Sequence, residues 1–500
     1  MKVKVVIYVL MGMLSASCIP TKNKNYTFNQ KYSATAIKSD IALLKKILEA
    51  NHPSLYWYTP KDSIDYFFKQ TINSITDSLT ELQVKNKIAA VISNIKCGHT
   101  SVRYSNQFVA LADKYKYPQF PLSIKVWKDS MVVLARYNLE DSILQRGTVI
   151  TAINNKKTTE MIENIFRLIP SDGYANNYKS QAVSGNFPAW YRNAFGVDSV
   201  YTIDFIDSMN QAKSINIKWF NPIPDTTKKK FDTTKAIVKE VPKKIAKKQQ
   251  KINKLLSYRS LLIDTSMNTA FIKLATFSKG NLRCFYRNTF SELKEKHIKN
   301  IVIDLRENGG GSVASSILLL QYLKDSAFKI ADTVAAVSRK FEYGNHIKNW
   351  FIYWLMMHIA ATKKSDGLIH NRFYETHYYE PKTSHHFDGN IYIIQGGYTF
   401  SAATILSSFL KGQNNVTIVG EESGGGFYGN TAMHIPNIIL PNIKLQVRLP
   451  MFRYVMDTIR PKGRGVMPDI EIYPSSAAIK NGVDLKMEAV RKLIKEKRPL

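Results

Sequence analysis

A serine that opens a helix directly after an apolar strand stands where a nucleophile would be useful. Ser401 has that setting: IYIIQ (391–395), a GGYTF turn, then SAATILSSFL (401–410). Backbone N–H groups at a helix start are unpaired and lie at the positive end of the dipole, so an oxyanion forming there is stabilised. The bland alternative is that the hydroxyl caps its own helix, the usual task of Ser at such a position. A second strand and turn weigh against it: IVIDLRENGGGS (301–312), followed by an apolar helical run from Ser315 to Leu323. Gly309, Gly310 and Gly311 let the backbone approach a ligand closely and turn its N–H groups toward it. The run lacks the Gly-Lys-Ser/Thr ending of a phosphate loop, so it reads as an oxyanion loop.

Four segments in order, DLRENGGG, GGYTFSAATIL, VTIVGEESGGG (416–426) and KGRGVMPDIEI (462–472), resemble the carboxyl-terminal processing peptidases, or tail-specific proteases. The likeness covers about 268–473 and is weaker upstream. It implies that Ser401 attacks a peptide carbonyl, with the Ala402 N–H and a glycine N–H of the NGGG turn, Gly310, as oxyanion donors. The best-known branch of that family places a lysine base in the stretch matching 420–426, which here contains none. NIKCGHTSV (94–102) is instead similar to the Gly-His-Thr segment of the tricorn-like branch. That similarity implies His99 as general base, and an imidazole with an ordinary pKa of about 6.5 suits proton transfer near neutrality. For the third member, which would orient the ring, Glu422 is the candidate taken here. Asp469 competes with it, and either carboxylate can simply hold its own loop. Thr100 or a backbone carbonyl are further ways to set the tautomer.

Three cysteines exclude a disulfide framework. Cys97, two residues before His99, is a rival nucleophile made redundant by the Ser401 turn. No Cys/His cluster has zinc spacing, so neither a metal nor another cofactor is expected. The formal net charge is +31, and much of the excess is local: 225–254 holds eleven lysines and three acids. Such a run is usually a solvated insertion, and without stacking aromatics or a base-reading motif it does not make a nucleic-acid binder. Contact with anionic lipid or an acidic partner suits it better.

Those segments must be positioned by the rest of the chain. Residues 1–17 carry a charged start (Lys2, Lys4), an apolar stretch and Ser15-Ala16-Ser17 before Cys18, which resembles a bacterial lipoprotein signal with Cys18 as the lipidated residue. An ordinary secretory signal is the alternative; either way an exported, cell-envelope protein is expected, with 18–30 as a tether. Residues 31–115 have helical periodicity interrupted at Pro53 and read as a helical cap domain delivering His99. Residues 116–220 turn to short β-rich runs, among them GTVITAINNKK (147–157), similar to a PDZ-like module, either able to add a peptide to a sheet edge or closed as a scaffold. A Lys-rich insertion (221–260) precedes the peptidase core (261–475), where strands alternate with helices, and 476–500 forms a terminal helix. The fold class is α/β, which the resemblance refines to a crotonase-like superhelix.

Within the core, NWFIYWLMMHIAA (349–361) is too short to span a bilayer and reads first as a buried helix, second as an apolar lid or membrane-dipping segment. The function expected is a lipid-anchored serine endopeptidase acting on unfolded or tail-exposed polypeptides. The alternatives are a peptidase-like binding or scaffold protein without catalysis and, less compatibly with export, an acyl-thioester enzyme on the same core. Nothing in the sequence fixes an oligomeric state.

Overall fold

The computed structural model describes residues 26–138, 142–222 and 243–496. The expected signal segment, Cys18, most of the tether and much of the Lys-rich insertion lie outside the described residues.

Three helices begin the described chain: α1 (Ala34–Asn51), α2 (Lys61–Asn73) and α3 (Glu81–Ser93). Ser33 caps α1 by accepting from Ala36 N–H, and α1 stops at His52, immediately before Pro53. Thr80 and Gln83 form a reciprocal capping box on α3. The buried faces of these helices (Ile37, Ile41, Leu44, Val84, Ile88) share one apolar core with Ile301, Ile303, Ile391 and Ile393 far along the chain. The helical segment is therefore welded to the α/β core and does not pack as an island.

Residues 122–218 form an antiparallel sheet in the order β1 (Leu122–Trp127), β2 (Ser130–Arg136), β3 (Val149–Ile153), β4 (Val200–Ile206), β5 (Ala212–Lys218), with its own core around Phe120, Ile124, Tyr201 and Ile203. Helix α4 (Asn177–Gly185) lies along β1, where Val126 N–H donates to Ser184 Oγ at 2.8 Å and Lys125 Nζ to Gln181 Oε1 at 2.6 Å. Side chains of the chain itself thus occupy this sheet edge.

The main sheet has the order β6 (Arg259–Asp264), β7 (Thr269–Leu274), β8 (Asn300–Asp304), β9 (Asn390–Gln395), β10 (Val416–Gly420), β11 (Ile470–Glu471); β6 and β7 are antiparallel and the rest parallel. Apolar residues cover both faces: Ile303 sits across from Ile393 and Ile393 from Ile418, as a sheet sandwiched by helices requires. Helices α5 (Val313–Leu323) and α7 (Ala402–Leu410) pack together, their Leu320 and Leu406 joining the large core. The C-terminal helix α8 (Leu485–Glu496) buries Val490 and Ile494 against Val302 and Tyr392 on the opposite face.

Helix α6 (Trp350–Ala360) departs from the first reading of its sequence. Only Met357 is buried; Phe351 and Ile359 are 52% and 78% exposed, and Ile352 and Met356 lie outward with them. Its inner side meets the core through Tyr353 and Trp354, and among the described residues the other side is left exposed. Hydrophobicity alone did not reveal this, because both faces are apolar and no periodicity distinguishes them.

Candidate active site

Strand β9 ends at Gln395, whose buried amide donates to Glu421 O and Val466 O at 3.0 and 2.7 Å. In the turn that follows, Thr399 Oγ1 donates to Leu305 O at 2.9 Å and Phe400 N–H to Asn308 O at 3.1 Å. The turns after β8 and β9 are thereby stitched side by side at the carboxyl ends of the parallel strands, where such sheets build their sites. Ser401 comes next with φ +54° and ψ −122°, a conformation that L residues with a side chain rarely adopt. Helix α7 starts behind it, and Ser401 makes no capping hydrogen bond. The bland capping role is thus absent, and Ser401 lines the cleft.

Gly310 (φ +98°) presses on this serine: a Cβ built there would lie 2.7 Å from Ser401 Cβ and 3.0 Å from Ala402 N. No side chain fits, which explains the glycine. The Gly310 N–H, expected as an oxyanion donor, instead donates to Asn308 Oδ1 at 2.9 Å. Among the described residues, the N–H groups of Gly309, Gly311 and Ala402 have no acceptor. The glycine turn stands where anticipated, with its free amides on either side of the residue named. Asn308 captures the middle one because its side chain folds back over its own turn, a local bond common for Asn.

His99 reaches the same cleft on the loop after α3. Residues Val102–Arg103, just beyond it, pair antiparallel with Gln446–Arg448, and Arg448 N–H donates to Ser101 O at 3.0 Å. Gly98 allows close approach, since a Cβ there would stand 2.5 Å from Phe400 Cζ. The imidazole lies against the Phe400 ring, centroids 4.8 Å apart. Burial, reinforced by the Arg448 charge, lowers its pKa to about 3, so the ring is neutral at physiological pH. Nδ1 is buried without a partner, and no hydrogen bond joins the ring to Ser401 among the described residues. The cleft of about 620 Å³ is lined by His99 and Ser401 together with Gly309, Gly310, Gly311, Tyr178, Tyr398, Phe400, His434 and Arg448.

Glu422 is not brought to His99. Its carboxylate accepts from Arg464 Nε and NH2 at 2.9 and 2.8 Å and from Gly465 N–H at 2.7 Å, and it does not line the cleft. The planar guanidinium fork two residues after Lys462 matches a carboxylate and takes both oxygens. Asp469 likewise serves its own loop, accepting from Ile418 N–H at 2.8 Å and pairing with Lys411. Thr100 Oγ1 bonds His52 Nε2 at 2.8 Å and is not available to His99 in this arrangement. Cys97 is buried with its thiol pushed up to about 11 by burial first and Asp172 second, which disfavours the thiolate a cysteine nucleophile needs.

Two residues escaped the sequence reading. Asp172 is buried, accepts from Gly98 N–H at 2.7 Å, has its second oxygen unpartnered, and is pushed up to about 7 by desolvation. Arg448 enters the cleft from a strand of the final third of the chain. Neither sits in a local motif, so no short-range signal marks them.

A serine on a strained strand-to-helix turn, beside free amides and a neutral imidazole in one cleft, is the equipment of a serine-type hydrolase. Residues 239–472 match the model of peptidase family S41. That match takes in the glycine turn and Ser401 over a little under half of the chain, and the protein is a serine-type peptidase. No curated protein matches the chain. Among solved structures, mature CPAF superposes with a TM-score of 0.62 at 13% identity, covering 93% of this chain and 99% of that one. Mature CPAF complexed with lactacystin gives 0.62 at 13%, covering 93% and 98%. These likenesses are of fold.

Proposed function

We propose that the protein is an exported, lipid-anchored serine endopeptidase of the histidine-using, tricorn-like branch, cutting unfolded or tail-exposed polypeptides. Ser401 attacks the scissile carbonyl, His99 accepts its proton and passes it to the leaving amine, and Ala402 N–H with a free amide of the glycine turn, Gly311, holds the oxyanion. The observation that carries this reading is the strained, uncapped Ser401, in one cleft with a neutral His99. The serine and imidazole are brought within bonding reach as substrate fills the cleft, as catalytic hydrogen bonds often tighten only in the complex.

Around that centre we read a crotonase-like core and a PDZ-like module. The occupied β1 edge supports the closed form of that module over peptide addition at that edge. Cys18 carries the lipid. Reaction of the full chain with a fluorophosphonate, followed by hydrolysis of unfolded casein, tests the peptidase assignment: Ser401→Ala should lose both. Retention of either by that variant refutes it. Cys18→Ser should move the protein from the membrane fraction to the soluble envelope fraction.

A further inference from the structure

The cleft holds a cation that the chemistry above does not use. Arg448 ends the strand Gln446–Arg448, lines the cleft with His99 and Ser401, and is partly buried. Among the described residues its guanidinium has no hydrogen-bond acceptor and no ion-pair partner. Arg103, on the neighbouring strand across from Gln446, adds a second positive charge that bears on it. Among the described residues the one acidic side chain lining the cleft, Glu307, is exposed and pairs with Lys273 at 2.7 Å. A partly desolvated guanidinium with five donors and nothing to receive them is costly unless a ligand supplies an anion.

The position of Arg448 says which part of a substrate it meets. It stands close enough to His99 to depress the ring's basicity, and in acyl transfer the imidazole faces the leaving amine. We infer that Arg448 is the receptor for a substrate carboxylate on the leaving-fragment side of the scissile bond, and so sets a preference for acidic chains there. The inference rests on the roles proposed for Ser401 and His99. A carboxylate bound to Arg448 also offsets the field that this charge exerts on the ring, the smaller of the two causes that hold His99 down after burial. Side-chain carboxylates of Asp or Glu and a free chain terminus share this chemistry.

The test uses the full-length protein and a peptide pool made twice, with free and with amidated C-termini, the product ends being read by mass spectrometry. Wild type should enrich Asp and Glu over Asn and Gln after the cut, or favour the free-acid pool, on the order of 10- to 100-fold. The first outcome assigns the side chain as ligand, the second the terminus. Arg448→Gln should erase the preference, Arg448→Glu should turn it toward Lys and Arg, and Arg448→Lys should restore part of it. An unchanged profile in Arg448→Gln overturns the inference. Anisotropy of the same fluorescein-labelled peptides on Ser401→Ala protein separates the two readings. A carboxylate preference in binding that vanishes with Arg448→Gln, alongside a wild type that cuts nothing, sinks the peptidase roles alone. Equal binding of carboxylate peptides and their neutral counterparts, with hydrolysis intact, sinks the Arg448 inference alone.

Discussion

The ring of Phe400, one residue before Ser401, lies 4.8 Å from the imidazole of His99. It also meets Tyr178 at 4.9 Å on the helix that flanks the antiparallel module. One aromatic side chain thus touches the segments supplying the nucleophile, the base and the module, and its packing sets how far apart they stand.

Gly98→Ala drives a methyl to within 2.5 Å of Phe400 Cζ, so ring or loop must shift. Because misplacing a catalytic group by about 1 Å can cost about 100-fold, kcat/KM on unfolded casein should fall by about that factor. The circular dichroism spectrum should stay that of the wild type. A variant with full activity would show that the Phe400 contact does not position His99.

The strain at Ser401 predicts a stability signature. A non-glycine residue at positive φ costs about 1–3 kcal/mol, whereas glycine loses about 0.5–1 kcal/mol of chain entropy. Ser401→Gly should therefore be inactive yet more stable than Ser401→Ala, by about 1 kcal/mol in urea denaturation. The reverse order would mean the turn is not strained.

Glu422 is spent on Arg464 and Gly465. Glu422→Gln should lower the melting temperature while leaving kcat/KM within about tenfold of wild type, in contrast to the loss of about 10⁴ expected for the orienting acid of a triad. A loss of that larger size with an unchanged melting temperature would return Glu422 to the catalytic set.

Acid sensitivity follows from the buried titratable groups. Burial holds His99 at about 3 and His52 at about 4, against 6.5 in the open chain. Below 6.5 the unfolded chain takes up protons that the folded chain refuses, so this stability is complete above 6.5 and drains as the pH falls toward 4 and then 3. Asp172 has the opposite sign: raised from 3.8 to about 7, it favours the fold below 3.8 and loses that contribution as the pH rises through 7. Urea midpoints should fall on the acid side, and Asp172→Asn should flatten the decline on the alkaline side. If kcat/KM showed an acid limb near 6.5, the base would not be the desolvated His99 of this cleft.

The outward face of α6 gives a contrast within one helix. Ile359→Ala, at a position 78% exposed, should change stability by less than about 0.5 kcal/mol. Met357→Ala, fully buried, should cost about 2–5 kcal/mol. Equal costs would mean the helix packs by its other side.

The nucleophile turn, the glycine turn and the strand-helix alternation were legible in the sequence because each is local. An apolar strand, residues able to take positive φ and a helix start occupy consecutive positions, and short-range sterics fix their conformation. The break at Pro53 and the capping of α3 are local in the same sense. Tertiary structure decided which polar groups found one another: Arg464 took Glu422, His52 took Thr100, and a strand from the last third of the chain carried Arg448 into the cleft of His99. It also left the outer face of α6 exposed among the described residues. These partners stand 42 residues apart for Glu422 and Arg464 and 48 for His52 and Thr100, and they are settled only when the apolar core fixes the distances between segments that no periodicity in the sequence relates.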